Sequence, residues 1–182
     1  MIDPNNITKY DQSEEELEEF LTFWVFAAGK MSASAAKHTE TLRQRYGTQA
    51  IISSVSHYSH AYLSNMLKEI GTGCYTQKAA ALLGAASLNL STCTLDDLES
   101  VKGIGPKTAR AFLLHSRRNQ RLAIIDTHIL KFLRTKYNAP STTPTGKRYL
   151  QCEEWFLKEC DAAGREPVEF DLEIWKRFKP VK

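Results

Sequence analysis

Residues 95–114 read LDDLESVKGIGPKTARAFLL, and this stretch decides how the rest of the chain is read. Thr94, just ahead of it, suits the cap of a short helix with Leu95, Leu98 and Val101 on one side. Gly103-Ile104-Gly105 then turns the chain sharply. Pro106 suits the first position of a second helix, where its missing N–H leaves nothing unpaired, and that helix runs to about Ser116. A Gly-x-Gly turn between two helices has a specific physical use. Glycine lets backbone approach a surface with no Cβ in the way, and at Gly105 we expect such an approach together with a positive φ. The second helix opens with unpaired N–H groups at the positive end of its dipole, which suits a phosphate oxygen. Lys107 and Thr108 add side-chain donors there. Helical hairpins with glycine turns also serve as plain scaffolding, so the turn alone predicts an anion-binding helix start and no more.

Downstream, Ser116–Arg121 reads SRRNQR, and Lys131, Arg134 and Lys136 follow. A basic surface beside such a turn is the footprint that phosphate binding leaves, although charge alone reads equally as a solvated loop and helix face. Leu122–Ile125 is an apolar link too short to require a sheet. Asp126 can cap a helix carrying Ile129, Leu130, Leu133 and Tyr137. Residues 138–146, NAPSTTPTG, read as a loop, and helices over 147–160 and 168–178 finish the chain. Upstream, Ser13 and Glu16 form a capping box ahead of Leu17, Phe20, Leu21, Trp24 and Ala28 at helical spacing. Ser32 or Ser34 caps a second helix that stops at Gly47. A short helix is expected over 49–55, Ser56 is expected to cap the next, and an alanine-rich helix follows over 78–88. No alternating strand pattern and no repeat of fixed period is visible, so the fold class is all-α.

The chain has 182 residues, 42% of them apolar, with a net charge of +3, enough for one helical unit or two small lobes with a real core. No run reaches the roughly 18 apolar residues that span a bilayer, and the polar, acidic start lacks a secretory pattern, so no membrane contact and an intracellular location are expected. Cysteines at 74, 93, 152 and 160 form no CxxC pair; free thiols are expected, with neither an iron–sulfur cluster nor any other cofactor. His57, His60, His115 and His128 lack partners at metal-ligand spacing, and no metal site is predicted.

Two blocks, VKGIGPKTA at 101–109 and IIDTHILKFL at 124–133, resemble the helix-hairpin-helix DNA glycosylase superfamily, the group that includes endonuclease III and the 8-oxoguanine glycosylases. Asp126 falls 19 positions after Lys107, as in that family. IGTGCYTQKA at 70–79 is similar to its upstream helix junction. The resemblance implies a two-lobed helical fold with the active site in the cleft between lobes. It implies a tail over 1–12 and a glycosylase unit over 13–182. One lobe is expected over about 30–125, with the hairpin at 94–116, and the other from 13–29 plus 126–182.

The same resemblance assigns roles. Lys107 corresponds to the lysine that attacks the sugar in bifunctional members, and Asp126 to the catalytic aspartate. Gly103 and Gly105 correspond to the phosphate-contacting hairpin. Tyr75 looks like the residue that wedges into the base stack, and Lys30 lies near the residue that fills the hole left by a flipped base. Phe170, Asp171 and Trp175 fall on the helix from which relatives build part of the base pocket. Thr108, Arg117, Arg118 and Arg121 are the expected further DNA contacts. On local grounds alone Asp126 is an N-cap and Lys107 a phosphate-binding or solvated lysine; their joint occurrence in two family blocks favours catalysis. The expected partner is duplex DNA carrying a damaged base, bound by a monomer. The expected activity is base excision with strand cleavage, on an oxidised purine such as 8-oxoguanine. Oxidised pyrimidines or mismatched thymine or uracil are the alternative substrates, and a non-catalytic DNA-binding module is the alternative of another class.

Overall fold

A computed structural model describes residues 2–47 and 50–178. Among these residues ten helices follow in order: α1 (Glu14–Ala27), α2 (Ser32–Tyr46), α3 (Ile51–Val55), α4 (His60–Ile70), α5 (Tyr75–Ala85), α6 (Leu95–Ser100), α7 (Pro106–Ser116), α8 (Thr127–Leu133), α9 (Gly146–Ala163) and α10 (Pro167–Phe178). No strand occurs among the described residues. The beginning of the short helix expected from Gln49 lies outside them.

Local chemistry explains the starts and stops. Ser13 Oγ accepts from the Glu16 amide at 3.3 Å, and Glu16 returns the bond to the Ser13 amide at 2.9 Å. Thr94 and Asp97 repeat the device at α6. Ser56 does not cap α4 as expected. Its hydroxyl donates to Ser53 O at 2.8 Å, and the Tyr58 amide closes on Val55 O, so the chain is still leaving α3 there. Ser59 takes the cap instead, accepting from the Tyr62 amide. Helix α5 begins three residues before the expected Lys78, directly after Cys74, whose φ of 46° makes the bend.

The helices bury two main cores. The first joins α1 to residues between Ala35 and Leu113, and the second joins Ala123 and Ile125 to α8, α9 and α10. Ala111, Leu114 and Ile124, flanked by Trp24 and Val168, form a small apolar seam between them. The expected division places α1 in the second lobe, and the structure corrects this. Leu17, Phe20, Leu21, Phe23, Val25 and Phe26 are buried on most sides of α1, so it must be surrounded, and it packs against α2, α3, α5 and α7. Residues ahead of α1 are docked as well: Ile7 is buried, and the Lys9 amide donates to His115 O at 3.0 Å.

Candidate active site

The hairpin is held by contact with α5. Gly103 has a φ of +97°, and a Cβ there would stand 2.3 Å from Gln77 O and 3.2 Å from Ala81 N. Gly105 differs: its φ is −95°, and a Cβ would meet nothing within 4 Å. The positive φ expected at Gly105 therefore belongs to Gly103, whose backbone must pass over α5, while Gly105 leaves an open surface ahead of α7. Gly105 is the N-cap of α7 and has no side-chain oxygen to offer the first amides, so the helix start is suited to an external anion. Lys107, half-buried, is the second residue of this helix, and Thr108 is buried behind it.

Asp126 caps α8. One of its oxygens, Oδ1, accepts from the His128 and Ile129 amides at 2.8 and 2.9 Å. The local reading of this residue as a cap is correct, and capping holds the carboxylate rigidly at the start of the helix.

Asp171 on α10 joins these groups. It is buried, and burial holds its carboxyl above the ordinary value of 3.8. His115 beside it works against that rise, as does the charge of Lys107, while the charge of Asp126 adds to it. Lys107, Asp126, Asp171 and His115 thus share one electrostatic neighbourhood where α7, α8 and α10 meet. His115 Nε2 lies 3.8 Å from Asp171 Oδ2, an electrostatic contact too long for a direct hydrogen bond. Its Nδ1 is 2.8 Å from Thr8 Oγ1, and Trp24 stacks on its ring at 5.5 Å. The Trp24 indole N–H and His128 Nδ1 are buried without a protein partner, which leaves two polar atoms for a ligand or water to satisfy.

The expected pocket residues divide. Asp171 is at the meeting point, and Trp175 meets His128 edge-on at 6.3 Å, two residues beyond Asp126. Phe170 instead packs on Phe132 and Phe156 at 5.5 and 5.7 Å, against the second core, because it lies on the α10 face turned to α8 and α9.

The other expected contacts also divide. Lys30 lies across Gly73, with its Nζ 3.2 Å from where a Cβ would stand. Tyr75 opens α5 two residues later, and Gln77 O is the atom that Gly103 abuts. Lys30, Tyr75 and the hairpin therefore occupy adjoining ground. Arg117 turns inward, donating to Cys93 O at 2.6 Å and to Leu90 O at 2.9 Å; it holds the loop before α6 rather than facing solvent. The loop's carbonyls need donors, and Arg117 supplies charged ones. Arg118 pairs with Asp11 and lies over Tyr10, and Arg121 pairs with Asp161. Both are exposed pairs, which water and salt weaken.

Several residues of this neighbourhood have no signal in the sequence. Thr8 lies in the expected tail, Trp24 reads as core, and His115 reads as one of several scattered histidines. Arg110, Tyr149 and Glu153 occupy helix positions that periodicity describes only as inward or outward. A shallow depression of about 640 Å³ along α9, lined in part by Tyr137, Leu150 and Trp155, has neither Lys107 nor Asp126 in its lining.

Residues 87–115 match the helix-hairpin-helix motif. An 8-oxoguanine DNA glycosylase/AP lyase of Thermotoga sp. (strain RQ2) is 38% identical over 85 residues, 45% of this chain and 40% of that protein. The enzyme of the same description from Picrophilus torridus is 34% identical over 116 residues, 56% of this chain and 54% of that protein. These matches thus span about half or less of the relatives' length. The crystal structure of the 8-oxoguanine DNA glycosylase of Thermotoga maritima superimposes with a TM-score of 0.68 at 26% identity, covering 93% of this chain and 82% of that one. The Methanocaldococcus jannaschii 8-oxoguanine glycosylase/lyase, solved with a 15mer DNA containing 8-oxoguanine, gives 0.70 at 22% identity, covering 94% and 86%. The chain carries a helix-hairpin-helix motif and has the fold of the 8-oxoguanine DNA glycosylases.

Proposed function

We propose that the protein is a DNA glycosylase with AP lyase activity that excises an oxidised purine, 8-oxoguanine, from duplex DNA. The observation that carries this reading is that Lys107 on α7 and the rigid Asp126 cap of α8 both act by charge on the buried Asp171 of α10. A DNA-binding module needs the hairpin glycines and backbone; it has no use for an amine and a rigid carboxylate that act on one buried carboxyl.

The chemistry follows from the placement. A base inside the duplex hides its glycosidic carbon, so the nucleotide must be turned out into the cleft. The neutral amine of Lys107 attacks C1′, and the C1′–N bond breaks with its electron pair leaving on the base. Positive charge builds on the sugar as this happens, and the Asp126 carboxylate compensates it from a fixed position. Ring opening at O4′ converts the adduct to an imine, loss of a C2′ proton expels the 3′ phosphate, and the strand is cut. The hairpin serves the step by holding backbone phosphate at the start of α7, with Lys30 and Tyr75 on the adjoining surface. Phosphate contacts of this kind position the duplex without choosing the lesion.

Borohydride trapping on an 8-oxoguanine duplex tests the reading. The parent protein should form a covalent adduct, and Lys107→Gln should form none while still binding the duplex. Adduct formation at the parent rate by Lys107→Gln assigns the nucleophile elsewhere, and a parent that binds yet never traps or excises is a DNA-binding module.

A further inference from the structure

Residues 122–125 carry Asp126 and are an anomaly in this fold. Ala123, Ile124 and Ile125 are buried, yet they belong to no helix, so their backbone groups have no ladder to pair in. Side chains of α9 supply the partners. Tyr149 OH accepts from the Ile125 amide at 3.0 Å and donates to Ala123 O at 2.8 Å. Glu153 accepts from the Ala123 amide at 2.9 Å. Tyr149 and Glu153 are four residues apart and so share one face of α9. Glu153 also accepts from Nε and Nη2 of Arg110, at 2.7 and 2.9 Å, while Arg110 lies 4.7 Å over the Tyr149 ring and pairs through Nη1 with Glu99. Arg110 stands three residues after Lys107 on α7. One buried network therefore grips the link that ends in Asp126 and the helix that begins with Lys107, and it does so across the junction of the two cores.

A buried ion pair is a costly way to gain stability, and packed apolar side chains would do as well. What this one supplies is a unique register of the link relative to α7. We propose that Tyr149, backed by Glu153 and Arg110, is a positioning residue that sets Asp126 against Lys107. The proposal rests on the glycosylase reading above. Tyr149→Phe removes only the hydroxyl and keeps the ring under Arg110. A displacement of the reacting groups by about 1 Å costs on the order of 100-fold in rate, and a partial release of the link should cost about tenfold.

The experiment is a double-mutant cycle on single-turnover excision of 8-oxoguanine, with parent, Tyr149→Phe, Asp126→Asn and the double variant. Tyr149→Phe should lower the excision rate about tenfold at unchanged duplex affinity. In the Asp126→Asn background the same change should cost almost nothing, because the group it positions is already disabled. An unchanged rate in Tyr149→Phe, or an equal loss in both backgrounds, overturns the proposal. Amide exchange at Ile125 is the second readout and needs no catalysis: it should quicken in Tyr149→Phe while α4 and α5 keep their protection. If the parent excises no lesion, the glycosylase reading fails by itself, and unchanged exchange at Ile125 still overturns the positioning role. If Tyr149→Phe does not fold, Glu153→Gln, which removes the charge that holds Arg110 and weakens the acceptor for the Ala123 amide, replaces it in the cycle, with exchange read at Ala123.

Discussion

One methyl group placed at Gly103 and, separately, at Gly105 should separate folding from DNA binding. At Gly103 the backbone φ of +97° already costs alanine about 1–2 kcal/mol. The new Cβ would also stand 2.3 Å from Gln77 O, a backbone atom inside α5 that cannot swing aside. Relief requires the hairpin to lift from α5, which by analogy with overpacked cores costs a further ~1–3 kcal/mol. The sum, about 2–5 kcal/mol, is a large part of the ~5–15 kcal/mol that holds a typical domain together. At roughly 2–4 °C per kcal/mol for a chain of this size, Gly103→Ala should melt about 4–20 °C below the parent. Gly105→Ala meets open space at a φ of −95° and should change stability by no more than about 0.5 kcal/mol. Its methyl stands where phosphate is expected to approach, so it should weaken binding to damaged and undamaged duplexes alike. The assays are thermal or urea unfolding, and affinity against salt for both duplexes in a Lys107→Gln background that prevents turnover. A Gly103→Ala protein as stable as the parent would refute the clash argument. A Gly105→Ala protein that binds as tightly as the parent would remove the hairpin from the DNA contact.

Further outcomes follow from the same geometry. Asp126→Asn keeps an oxygen for the His128 and Ile129 amides, so stability should fall by less than about 0.5 kcal/mol while excision collapses; near-normal excision would leave Asp126 with its capping role alone. Arg117→Ala removes charged donors from two loop carbonyls and should destabilise by about 1–3 kcal/mol without changing the salt dependence of DNA binding. Arg121→Ala breaks an exposed pair, should cost about 0–1 kcal/mol, and should lower the salt slope by roughly 1 if the arginine reaches phosphate; unfolding curves and salt titrations of the two variants decide between these assignments. Asp171→Asn tests the buried carboxyl through pH. Because burial raises its folded value above 3.8, the folded protein keeps a proton that the unfolded chain has already lost, and the parent loses stability as pH rises through that interval. The melting temperature of Asp171→Asn minus that of the parent should be near zero below the ordinary value and grow positive above it; a difference that turns negative on raising the pH means that His115 holds the group ionised.

Much of this protein is legible along the chain because its signals are local. Capping boxes at Ser13 and Thr94, the proline after Gly105 and the cap at Asp126 each act within one helical turn, so residue identities alone locate α1, α6, α7 and α8. The hairpin is legible for the same reason, whereas the Lys107–Asp126 spacing is read through the resemblance of two separate blocks to a known family. Other features depend on contacts between residues distant in sequence. Helix α1 joins the first core rather than the second because apolar side chains cover most of its surface, a fact that periodicity does not assign to a partner. Arg117 reads as a DNA contact by charge and proves to be a loop clamp, because only the folded chain brings Leu90 and Cys93 under it. Which of two neighbouring glycines must be glycine was decided by the Gln77 carbonyl, 26 positions upstream of Gly103. The meeting of Lys107, Asp126, Asp171 and His115, and the Arg110–Glu153–Tyr149 network beneath it, have no sequence signature. Electrostatics and hydrogen bonding act over a few ångströms in space, and only tertiary packing makes residues from α7, α8, α9 and α10 neighbours on that scale.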